Sequence, residues 1–188
     1  MRLVTVAALA FALDACESVL PSGKSETLSE WNTFGEAKAA YDEIVVGDTT
    51  RSVLAEIGYD PMVNPNVEIL TYLALISLFM PHQSIQLTDL DPRLRECLAA
   101  RGACSGYRVG PKRIASKRTG DPVLDIFGFE RKTEKKGWSF SALVVLHGDV
   151  VAYKIWSGKP RLHERTETKK PLGPLQDSGD ILRDLVWP

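Results

Sequence analysis

The chain has 188 residues, 44% of them apolar, with 23 Lys or Arg against 24 Asp or Glu for a net charge of −1. That length suits one domain with a core of its own, and the mix of apolar and charged residues excludes disorder over most of the chain. The near-neutral total hides a gradient: Glu17 to Glu96 holds 13 acidic and 5 basic residues, whereas Cys97 to Pro188 holds 10 acidic and 17 basic. The basic half is therefore either a face for anionic headgroups or an acidic protein, or a set of solvated loops. Its cations lack interleaved aromatic residues, which argues against nucleic acid as a partner.

Met1-Arg2, the apolar run Leu3 to Leu13 and then Asp14-Ala15-Cys16 have the layout of a secretory leader that ends at a cysteine. The run is about half of the ~20 apolar residues that a membrane-spanning helix needs. With Leu13 three places before Cys16 and Ala15 just before it, the segment resembles the lipobox of bacterial lipoproteins, and it departs from that pattern at Asp14. The resemblance implies removal of residues 1–15 and acylation of Cys16. Glu17 and Ser18 follow in place of an inner-membrane retention Asp, which implies the outer membrane, facing the periplasm. The alternative is an ordinary leader in which the cysteine is incidental. Residues 16–32, rich in Ser, Gly, Pro and charge, read as a flexible tether.

From Thr33, the apolar residues Phe34, Ala37, Tyr41 and Ile44 recur at helical spacing, and the helix should end near Val46-Gly47. Asp48 or Thr49 can cap a second helix that turns Val53, Leu54 and Ile57 inward and stops at Gly58, with Pro61 close behind. Val67 to Met80 is the most apolar stretch after the leader, too short to span a membrane, and it reads as a helix packed in the core or against a partner, the alternative being a membrane-surface role. Asp91-Pro92 opens another helix, ending at Gly102, which carries Cys97. If Cys16 is acylated, Cys97 and Cys104 remain as one pair free to oxidise in an exported protein, the alternative being two reduced thiols.

After Val123 the period changes to two. Val123 to Arg131, Trp138 to His147 and Val150 to Trp156 read as strands, with a Gly148-Asp149 hairpin between the last two. Trp138, Phe140, Ala142, Val144 and Leu146 share the face expected to meet the helices. Ser139, Ser141, Leu143 and Val145 share the other, which the preceding segment should partly cover. Beyond Pro160 the chain is charged, passes through prolines, and ends with Ile181, Leu182, Leu185 and Trp187 at helix-like spacing.

The run Tyr41-Asp42-Glu43-Ile44-Val45-Val46-Gly47-Asp48-Thr49-Thr50-Arg51-Ser52-Val53, followed by Ile57-Gly58-Tyr59-Asp60-Pro61, resembles the helix pair of the BamE (SmpA/OmlA) family of outer-membrane lipoproteins. Gly137-Trp138 through Val150 to Trp156 is similar to that family's hairpin. The resemblance implies an α+β domain over residues 33–160, two N-terminal helices packed on a three-stranded antiparallel sheet. A mainly helical, disulfide-containing insertion at 64–122 would interrupt it, and residues 161–188 would form a C-terminal extension. It further implies a role in outer-membrane assembly or integrity through binding an envelope protein, an assembly component among the candidates, and it carries over no catalytic residue.

His82, His147 and His163 stand apart from one another and from any cysteine or carboxylate at metal-ligand spacing. No G-x-S-x-G elbow, H-E-x-x-H helix or phosphate-binding glycine loop occurs, and Cys97 and Cys104 are too far apart for a C-x-x-C redox pair. No catalytic residue, cofactor or metal is therefore expected. The contact candidates are Leu70, Leu73, Leu75, Ile76 and Phe79, unless these are plain core, together with Arg131, Lys132, Lys135 and Lys136. A competing reading is a ligand or inhibitor module, in which Trp138, Tyr153 and Trp156 stand partly exposed on a concave sheet.

Overall fold

A computed structural model of the protein describes residues 20–171. The leader, Cys16 and the terminal segment with Ile181 to Trp187 lie outside the described residues. In chain order the elements are β1 (Ser22–Glu26), α1 (Phe34–Glu43), α2 (Arg51–Leu54) running into a wide turn (Ala55–Tyr59), β2 (Val67–Thr71), α3 (Tyr72–Phe79), α4 (Pro92–Ala99), β3 (Cys104–Val109), β4 (Lys112–Thr119), α5 (Pro122–Ile126), β5 (Glu130–His147) and β6 (Val150–Lys169). The six strands form one antiparallel sheet in the order β1-β4-β5-β3-β2, with β6 also paired to β5.

The expected fold of two helices on a three-stranded sheet is thus corrected: strands dominate, and the segment 64–122 supplies β2, β3 and β4 as well as α3 and α4. The apolar run from Val67 gave no period to separate strand from helix. Pairing decides it. Val67 to Thr71 lie opposite Val109 to Ser105, and Thr71 then accepts a hydrogen bond from the Ala74 N–H, so the same residue that ends β2 caps α3.

Three more expectations change. Val123 to Arg131 opens as a helix, because Pro122 occupies its first turn and the Asp121 carboxylate accepts from the N–H groups of Val123 and Leu124. Part of the presumed tether is β1, and Trp31 after it is buried. Part of the presumed extension is β6, which runs to Lys169.

The helix pair itself follows its sequence signals. Thr33 caps α1 by accepting from the Glu36 N–H, and Gly58 adopts positive φ at the end foreseen for it; α1 itself stops at Glu43, short of the expected Val46-Gly47, and Gly47 takes positive φ in the turn beyond. Thr49 differs: it is buried, and its hydroxyl accepts from the Val45 N–H, fastening the inter-helix turn rather than capping α2.

Two compact units divide the described residues. The larger comprises Glu26–Ile114 and Gly137–Leu162. Its core lies on both faces of β5. Phe140, Ala142, Val144 and Leu146 pack with Ala37, Ala40 and Tyr41 of α1, with Ile44 just past its end and with Leu54 and Tyr59, as the alternation foresaw. Leu143 and Val145, on the reverse face, pack with Leu70, Leu75 of α3 and Leu94, Cys97 and Leu98 of α4. A disulfide joins Cys97 to Cys104, tying α4 to the start of β3.

The smaller unit comprises residues 20–25, Ala115–Lys136 and 163–171 among those described. Backbone bonds from Arg118 N to Pro21 O (3.3 Å) and from Lys170 N to Phe129 O (2.7 Å) hold its strands and the end of α5. None of its residues belongs to either core cluster.

Candidate binding surface

In the larger unit, α3 is too short to cover the whole sheet face on which it lies. It buries Leu75 in the core and leaves Leu78, one turn on, about half-exposed. The uncovered strip is a shallow groove of about 220 Å³, lined by Leu78, by Arg108 of β3, by Ser141 and Leu143 of β5 and by Ile155 and Ser157 of β6. Ile155 is 47% exposed. The Arg108 guanidinium at the rim is steadied by Glu68, directly opposite it in the β2–β3 register, at 3.2 Å.

The foreseen contact residues divide. Leu70 and Leu75 are core, and Ile76 and Phe79 pack partly buried against the same cluster, Phe79 meeting Tyr153 edge to face at 5.8 Å. Leu73 is 59% exposed. Arg131, Lys132, Lys135 and Lys136 fall in the smaller unit, so the aliphatic and basic residues do not belong to one compact unit. Several of these cations have acidic neighbours there: Lys132 stands 3.2 Å from Glu130, Lys136 stands 3.1 Å from Glu134, and Arg131 stands 3.8 Å from Asp125. Glu134 also meets His163 Nε2 at 2.6 Å, and that hydrogen bond, followed by the one from Lys136, lowers its pKa from the ordinary carboxylate value.

The aromatic residues on which a ligand module would depend are largely committed to packing. Trp156, 40% exposed, stacks on Phe140 at 5.8 Å and meets Phe34 and Tyr41 edge-on, so α1 occupies the sheet face that a ligand would need. Lys154 Nζ lies 4.4 Å from the Tyr41 ring centroid and donates to the Tyr41 carbonyl at 2.9 Å. Burial pushes the Tyr41 phenol up to about 12 and lowers the Lys154 ammonium from its ordinary value.

A second surface lies in the smaller unit and was missed in the sequence. Val123, Leu124, Ile126, Phe127 and Phe129 are all exposed, Ile126 at 66% and Phe127 at 58%. Asp125, in their midst, points inward: it is buried and bonded to Arg118 Nη1 at 2.9 Å. Beside Ile126 and Phe127 is a hollow of about 310 Å³ that Asp125, Arg131, Thr168 and Lys170 also line. The signal available was Asp121-Pro122, a cap and first-turn proline, which was overridden by the apolar residues after it.

Among the described residues no three His, Cys, Asp or Glu side chains are grouped to hold a metal ion, and no helix is long and apolar enough to cross a membrane. No family model, curated protein or solved structure matches the chain.

Proposed function

We propose that the protein is a non-enzymatic outer-membrane lipoprotein, anchored by acylation of Cys16 and facing the periplasm, that binds another envelope protein and supports outer-membrane assembly or integrity. The groove between α3 and β6 carries this reading. Its apolar lining, Leu78, Leu143 and Ile155, is held on a sheet whose two faces are both packed, so the surface is preformed and binding needs little ordering. At about 220 Å³ it is smaller than the ~300 to 1,000 Å³ typical of small-molecule sites, and its size suits one or two anchoring side chains of a protein partner. Arg108 at the rim adds a charged donor that can orient such a partner.

Site-specific photocrosslinking in intact envelopes tests the reading. A photoreactive residue replacing Leu78 or Ile155 should trap one membrane protein reproducibly, while the same residue replacing Met62, a highly exposed position outside the groove, should not. Equal trapping at all three positions, or none at the groove, would overturn it. The anchor is checked separately by intact mass, which should show loss of residues 1–15 and a diacylglyceryl-sized addition at Cys16, and by release of the Cys16→Ala chain from membranes.

A further inference from the structure

We infer that α5 and the basic strands around it form a contact surface for an anionic lipid leaflet, seating the smaller unit on the bilayer. The starting point is an imbalance within that unit. Its large apolar side chains Val123, Ile126 and Phe127 occupy one helical face at spacings of three and four, and they are exposed, with Leu124 and Phe129 beside them. Neither core cluster reaches them. A run of five exposed large apolar residues within seven positions is a binding surface more often than an accident of the fold.

Charge selects the occupant. The described residues of the smaller unit hold ten Lys or Arg and six Asp or Glu, net +4. Arg131 and Lys170 line the same hollow as Ile126 and Phe127, so cations stand next to the apolar tip. The one acid inside the apolar run, Asp125, also lines that hollow, but it is only 4% exposed and is paired with Arg118. Apolar side chains flanked by cations, with the intervening acid buried and paired, match an interface of acyl chains beneath anionic headgroups.

The length of chain outside the described residues places the surface. Arg118 bonds through its backbone N–H to the Pro21 carbonyl and through its side chain to Asp125 of α5. Pro21 is five residues from Cys16, at most about 18 Å of extended chain. This step rests on the proposed acylation of Cys16. With it, the smaller unit cannot leave the membrane surface, and α5 is the part of that unit able to enter it.

The test uses the acylated chain carrying Phe127→Cys, labelled with an environment-sensitive fluorophore. With Cys16 acylated and Cys97–Cys104 closed, the new thiol is the reactive one. The protein is reconstituted in vesicles of phosphatidylethanolamine with phosphatidylglycerol, or of phosphatidylcholine alone, each with and without nitroxide-bearing lipid. We expect flotation with both, and a blue shift with nitroxide quenching that is stronger in the anionic vesicles and weakens with salt. In the Cys16→Ala background, Val123→Ser with Ile126→Ser should lower partitioning into anionic vesicles by at least about tenfold. Both replaced side chains are exposed, so the fold is retained.

Flotation without any change at the probe overturns this inference while the anchor stands. Failure to float, with a probe that still shifts on adding anionic vesicles, supports it while the anchor reading falls. No flotation and no shift defeats both. A probe already shielded without lipid overturns the inference as well: shielding that grows with protein concentration assigns the surface to a second copy, and shielding lost on deleting residues 172–188 assigns it to the C-terminal segment.

Discussion

Asn64 is a polar side chain inside the larger unit, and both ends of its amide are used. Nδ2 donates to the Gly58 carbonyl at 2.8 Å, and Oδ1 accepts from the Asn66 N–H at 3.0 Å. It thereby fixes the chain that leaves the second helix, where Gly58 has φ +91° and a Cβ would press on the Trp31 ring. Asn64→Ala leaves that carbonyl and that N–H without their partner, and the expected cost is about 1 to 3 kcal/mol, read as a lower urea midpoint at unchanged slope. Tyr41 gives a pH-dependent prediction. Burial raises its folded pKa to about 12, above the value near 10 of an exposed phenol, so folding favours the neutral form. The stability it contributes is present below pH about 10 and is lost as pH rises from there through about 12. Melting temperature should therefore fall over that interval, and less steeply in Tyr41→Phe. The sequence marked Tyr41 as inward and Gly58 as a helix end because both signals are local. It gave Asn64 no role beyond opening the segment 64–122, since its role in the fold depends on a carbonyl six residues away in a turn not yet folded.

At the scale of elements, local punctuation was legible and distant pairing was not. The glycine turns, the start of the first helix near Thr33 and the Gly148-Asp149 hairpin were each written within a few residues. Val67 becomes a strand residue only by lying opposite Val109, and no periodicity in an unbroken apolar run announces a partner that far along the chain. The groove suffered the same way: Leu75 and Leu78 look alike in sequence, and only the placement of α3 on the sheet makes one core and the other a lining residue. Two measurements probe the elements that pairing created. The disulfide between α4 and β3 closes a short loop, for which chain entropy gives about 2.5 kcal/mol. Cys97→Ala with Cys104→Ala should lower unfolding free energy by about that amount, as should reductant on the wild type. Gly137 lies against the β4 backbone, where a Cβ would come within 2.8 Å of the Ile114 Cα and closer still to the Arg113 carbonyl. Backbone cannot give way as a flexible side chain can. Gly137→Ala should therefore cost several kcal/mol, on the order of 3, and unpair β4 from β5 there, seen as lost amide protection at Ile114.

For the molecule as a whole, the decisive contrast is where apolar burial has gone. Every residue of both core clusters belongs to the larger unit, while the strands of the smaller one are joined by backbone bonds and by surface ion pairs such as Lys169–Glu130 and Lys132–Glu167. Pairs of that kind contribute about 0 to 1 kcal/mol each, far below what a buried core returns. The charge gradient along the sequence announced a basic half but could not say that residues 115–136 and 163–171 within it would lack a core while β3 and the end of β5 would build one, because burial follows from which strands pair, not from composition. Local opening should therefore be cheap in the smaller unit and nearly as costly as global unfolding in the centre of the larger. Hydrogen exchange followed by mass spectrometry on the lipid-free chain checks this. Peptides covering Ala142 to His147, which pair with Cys104 to Val109, should exchange only on global unfolding. Peptides covering Glu130 to Lys136 and His163 to Lys169 should exchange orders of magnitude faster. Glu134 makes the second group sensitive to acid: its lowered pKa means that the pair with His163 and Lys136 holds above the ordinary carboxylate range and is lost as pH falls through the folded value. Exchange there, corrected for its intrinsic pH dependence, should accelerate on that side, and equal protection of the two regions would show that burial is not what separates them.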